Sequence, residues 1–196
     1  MFRRSVCYIF RVALVYAVAA HHSVAQAQKV TIHLDPAQSE IHWTLSDTTH
    51  TVKGTFKLKG GMLVFDTKTG AAEGEILVDT ASGESGNGSR DGKMQKEVLE
   101  TGKYPQAFFH PTKISGGLKP GATQDMTAEG TFNIHGADHP LTLQLKVHVE
   151  GDKVTATTRF VVPYVAWGMK DPSFMMFRVG KQVDVDVTAH GSLETH

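Results

Sequence analysis

Eleven histidines, 20 acidic and 20 basic side chains and one cysteine are the reactive groups of this 196-residue chain. Metal ligation is the first chemistry that the histidines suggest, and His135 and His139 stand four residues apart, as two ligands on a helix would. Yet they flank Gly136-Ala137-Asp138 and precede Pro140, which reads as a hairpin turn, and no third ligand accompanies them. No metal is expected. The alternative in which these histidines matter is a metal-dependent hydrolase. His42 and His148 fall on the polar face of strands, where solvation explains them.

Covalent catalysis finds no more support. Cys7 is the only thiol, which removes disulfide frameworks, thiolate zinc sites and thiol nucleophiles. Neither a G-x-S-x-G elbow nor H-E-x-x-H occurs, and Gly83-Glu84-Ser85-Gly86 has the wrong spacing for the first. Asp184 and Asp186 share one face of a strand that reads as the solvated outer surface. Gly83, Gly86 and Gly88 could cradle a phosphate, but no G-x-x-x-x-G-K-[ST] follows and no Rossmann pattern surrounds them. The expectation is a protein that is not an enzyme and holds no cofactor.

What remains is architecture. With 40% hydrophobic residues the chain is long enough for one domain with a real core. A formal net charge of zero gives no basis for nucleic-acid binding. Arg3, Arg4 and Arg11, the short apolar run Val12 to Ala20, and Ala25-Gln26-Ala27 form a secretory signal pattern. Cleavage after Ala27 would leave Gln28 to His196, without cysteine, acidic by about three charges and with no membrane-spanning run. An exported protein, periplasmic or secreted, is expected.

From there the chain alternates. Ile41, Trp43 and Leu45 oppose His42 and Thr44; Val52, Gly54, Phe56 and Leu58 oppose Lys53, Thr55 and Lys57. Lys59-Gly60-Gly61-Met62 reads as a tight reversal. Similar patterns run through Gly74–Thr80, Ala128–Ile134, Leu141–Val149, Val154–Val162 and Val183–Thr188, giving about eight or nine strands. Helical spacing occurs once, from Ser89 as cap to Thr101, with Met94, Val98 and Leu99 as its apolar stripe and Gly102 as its stop.

A sheet with one oily face must bury it, and closing about eight strands into a barrel does so without leaving edges. The candidate lining residues are Trp43, Leu45, Phe56, Phe65, Phe132, Leu143, Leu145, Phe160 and Val162. Phe177, in the run Phe174-Met175-Met176-Phe177, joins them as a mouth lip or a core strand. Periodicity leaves open whether the interior is hollow or filled. Arg90-Asp91, at the helix start, could hold a lipid head group or could lock the helix onto the barrel rim.

Several segments then occur in a distinctive order. Asp35-Pro36-Ala37-Gln38-Ser39 with Ile41 and Trp43 comes first, then Val52-Lys53-Gly54-Thr55-Phe56. Arg90-Asp91 leads into Met94, followed by Lys103-Tyr104-Pro105 with Phe108 and Phe109, and by Gly130-Thr131-Phe132. Together, over about Asp35 to Gly191, they resemble the YceI-like family of secreted, polyisoprenoid-binding barrels. The resemblance implies an antiparallel eight-stranded lipocalin-like barrel with one inserted α-helix. It also implies a long-chain isoprenoid or quinone-like lipid as partner. The carrier is expected to be a monomer or a homodimer. Gln38 stands where the family often has His, and Gly92-Lys93-Met94 replaces a usual His-Leu. Trp167-Gly168-Met169-Lys170-Asp171-Pro172-Ser173 resembles a subgroup of the family. The rival from another class is a structural or interaction barrel with no ligand.

Overall fold

The computed structural model describes residues 29–46, 50–173, 175 and 178–196; the expected leader and Phe177 lie outside them. Nine strands occur: β1 (Lys29–Leu34), β2 (Glu40–Ser46), β3 (Thr51–Asp66), β4 (Ala72–Glu84), β5 (Gln106–Ser115), β6 (Thr123–Ile134), β7 (Ala137–Glu150), β8 (Lys153–Val162) and β9 (Val183–Thr195). They form one antiparallel sheet that closes on itself, because β1 and β2 both bridge β3 and β9. Nine segments therefore fill eight barrel positions, and closure removes the free edges.

The break between β1 and β2 explains the Asp35…Ser39 motif. Asp35 Oδ1 accepts from the Ala37 amide at 2.9 Å and Gln38 Nε2 donates to Asp35 Oδ2 at 2.6 Å, which folds the chain into a turn. The Ser39 hydroxyl then donates to Asp35 O at 2.7 Å and accepts the His190 amide of β9 at 3.0 Å. Ser39 thus replaces the ladder partner that the turn takes away from β9. Gln38 closes this turn itself.

Lys59–Met62 is not a reversal. β3 runs unbroken through it for 16 residues, with only a register irregularity against β4 between Leu58 and Gly60. The two glycines sit where β3 exchanges β2 for β1 as its neighbour, and neither takes positive φ. Absent side chains here permit a bend and close approach to Leu34, rather than a turn.

Between β4 and β5 lies α1 (Gly88–Lys93), which widens into a π-helical turn over Met94–Val98. Its cap is Asn87, whose side chain accepts from the Arg90 amide at 3.1 Å; Ser89 is already inside the helix. The left-handed stop is Glu100 (φ 46) and not Gly102, since the π turn brings the helix to its end earlier. Likewise the β6–β7 turn is only His135-Gly136, both with positive φ, and His139 belongs to β7.

The two barrel ends differ. At the end away from α1, Phe65, Ile114, Met126, Val147, Val149 and Val154 pack into one buried cluster, with Leu118 against it from the loop after β5. Gln124 fastens that loop by accepting from the Lys119 amide at 2.7 Å and donating to its carbonyl at 3.0 Å. At the α1 end, Val98 of the π turn packs with Val162, Tyr164 and Met169. One end is plugged and the other is roofed.

Candidate functional site

Beneath that roof lies a cavity of about 590 Å³, lined from β2, β3, β4, β5, β6, β8, β9, the helix and the segment after β8. A second, narrower space of about 160 Å³ continues toward the plugged end. Ile41, Val78, Phe132, Phe160 and Val187 line both and form the neck between them. Phe132 and Phe160 meet edge to face across 6.1 Å at this level. The interior is hollow.

Trp43, Leu45, Phe56, Phe132, Phe160 and Val162 line the larger cavity; Phe65, Leu143 and Leu145 line the smaller. Strand alternation places them there, each on the inward set of its strand. Of the Phe174–Phe177 run, only Met175 is described, and it is 79% exposed.

Two elements of the roof were not singled out from the sequence as a roof. Met94, Val98 and Leu99 come from the helical stripe, while Tyr164, Met169, Pro172 and Val179 come from an irregular segment that no periodicity marks. The Tyr164 hydroxyl donates to Gly180 O at 2.7 Å, and burial pushes its pKa up to about 12, so it stays a neutral donor. Lys170 reaches across to Glu97 at 2.6 Å and holds that carboxyl below its ordinary range, joining the segment to the helix. Both partners are partly exposed, so the strap is weak. Met169 and Val98 meet in one buried cluster, which joins the segment to the helix as well.

Arg90 and Asp91 share Ser85. Arg90 Nε donates to Ser85 Oγ at 2.8 Å and Nη2 donates to Ser85 O at 3.0 Å. The Ser85 hydroxyl in turn donates to Asp91 Oδ1, which also accepts the Ser85 amide at 3.0 Å. The pair therefore ties the loop after β4 to the helix. Arg90 also lines the cavity, as does Lys93, which the sequence reading noted only as a departure from a pattern.

The histidines diverge. His135 Nε2 meets Glu100 Oε2 at 2.6 Å and its ring lies 4.6 Å from that of Tyr104. His139 faces inward at the rim and stacks on Trp167 at 4.0 Å and 7°. Among the described residues no group of three or more His, Cys, Asp or Glu is placed to hold a metal. Asp184 and Asp186 bracket Arg159 from 3.6 and 3.7 Å on the outer face.

A closed antiparallel barrel, plugged at one end, roofed by a helix at the other and hollow between, places the chain among barrels that enclose a cavity rather than a filled core. The chain belongs to the YceI-like family: the YceI-like domain matches residues 33–190. Protein YceI of Escherichia coli O157:H7 is 36% identical over 101 residues, and that of Salmonella arizonae 33% over 101 residues, in each case 50% of both chains. The chain thus spans about half the length of the curated relatives it matches. Among solved structures, BcnA of Burkholderia cenocepacia superposes with a TM-score of 0.65 at 17% identity, over 80% of this chain and 98% of that one. A polyisoprenoid binding domain from Saccharophagus degradans, implicated in plant cell wall breakdown, superposes with a TM-score of 0.61 at 18% identity, over 82% and 97%. At these identities the likeness establishes the shared fold.

Proposed function

We propose that this protein is an exported carrier that sequesters a long apolar chain, isoprenoid or quinone-like, without chemical change. The carrying observation is the predominantly apolar cavity of about 590 Å³ under the helix. The name of the Saccharophagus degradans neighbour, a polyisoprenoid binding domain, supports this ligand class. Export rests on the signal pattern of the first 27 residues.

The energetics are favourable. Each buried methylene contributes about 0.8 kcal/mol, so about ten of them outweigh the lower estimates of the cost of immobilising a ligand. Binding is by burial and shape, with the tail toward the neck and any polar head at the mouth beside α1. A barrel used only as a scaffold has no need of such a hollow. Native mass spectrometry of protein purified from its natural host, with organic extraction, tests the reading. A bound long-chain lipid is expected. Protein that is empty, and stays empty after incubation with long-chain alcohols and with their anionic counterparts, would overturn it.

A further inference from the structure

The charge of the cavity wall is one-sided. Among the described residues, Arg90 and Lys93 are the only charged side chains lining either space, and no acid does so. Both come from α1, three residues apart and so on one face of the helix. The helix's acids are engaged elsewhere: Asp91 accepts from Ser85, and Glu97 is clasped by Lys170 at 2.6 Å. Two hydrogen bonds from Arg90 to Ser85 fix the direction of its guanidinium, which remains exposed at the mouth.

We propose that the ligand is an anionic amphiphile, an apolar chain ending in a phosphate or carboxylate, whose head group is held by Arg90 and Lys93 at the mouth. The inference rests on the carrier reading and specifies its ligand. A neutral head, such as a quinone or an alcohol, can accept a hydrogen bond from these cations but carries no charge to pair with them. An anionic head gains charge-assisted hydrogen bonds from both, in the reduced dielectric beside an apolar wall. Arg90 offers a planar fork and Lys93 a mobile point charge, a combination that suits a tetrahedral or planar oxyanion alike.

Matched ligands test it. Geranylgeranyl phosphate is compared with geranylgeraniol, and hexadecanoate with hexadecanol, by titration calorimetry on the full chain. In at least one pair the anion should bind about tenfold more tightly than its alcohol at low salt, and the favoured pair identifies the source. Lys93→Gln should reduce that preference several-fold, weakening the anion more than its alcohol. Lys93 is exposed and outside the Ser85 cluster, so folding survives; an unchanged melting curve verifies this. Alcohols that bind as tightly as their anions, or a preference indifferent to Lys93→Gln and to Arg90→Gln, would overturn the head-group assignment alone. Failure of all four ligands to bind the wild type would remove the carrier reading and this proposal with it.

Discussion

Trp43 lies on the inward face of β2 with its ring edge against Gly54 of β3, its register partner. A Cβ at position 54 would come within 2.4 Å of the indole and 2.2 Å of Glu84 O, so only glycine admits a tryptophan at this level. Gly54→Ala is predicted to cost about 1–3 kcal/mol in chemical denaturation and to shift the emission of Trp43; stability equal to wild type would contradict this packing. At the rim, burial holds the His139 imidazole below its ordinary pKa, against the opposing pull of Asp138. The unfolded chain takes up this proton near pH 6.5 while the folded ring stays neutral, so stability falls as pH drops through that value. Thermal melts between pH about 7.5 and about 5.5 should therefore show a steeper loss for wild type than for His139→Phe. Equal slopes would mean that the Trp167 stack does not depend on a neutral ring. Inward residues were legible because alternation alone decides them. The place of Lys93 in the cavity lining was not, since a lysine in a short helix has no periodic signature.

At the scale of elements, the barrel depends on one strand position being shared. β1 and β2 meet the same two neighbours, and the Asp35–Ser39 turn between them costs β9 a ladder bond that Ser39 supplies. Lys59–Met62 was misread as a reversal because two glycines mark turns and bends alike; the pairing partners, which lie far away in sequence, decide between them. The helix boundaries moved for a related reason. Glu100 takes the left-handed stop, with its carboxylate on His135, a tertiary contact that local capping rules cannot anticipate. If the cavity holds an apolar chain, the neck between the two spaces is the element that would limit its length. Phe160→Leu should widen the passage between the two spaces at a cost of about 1 kcal/mol. The longest prenyl alcohol retained by the variant should then exceed that of wild type by one isoprene unit or more. An unchanged length limit would place the stop elsewhere.

As a whole molecule the protein is a blind tube. The plugged end supplies the core that folds it, and the roofed end supplies the hollow; side chains from all around the barrel contribute to both. Sequence patterning alone made a closed sheet legible but left filled and hollow interiors equally open. The volume left over depends on how Trp43, Phe132 and Phe160 pack across the centre, and on a roof segment from Pro163 to Pro172 that obeys no period. Trp43 and Trp167 are the only tryptophans, and Trp43 lines the cavity, so Trp167→Phe makes the cavity wall the sole emitter. Titration of this variant with a long-chain alcohol brominated along its tail is the most direct measurement. Saturable quenching of Trp43 complete at one equivalent is the predicted result. Bound alcohol that leaves Trp43 emission untouched would place the chain outside the barrel and contradict the account.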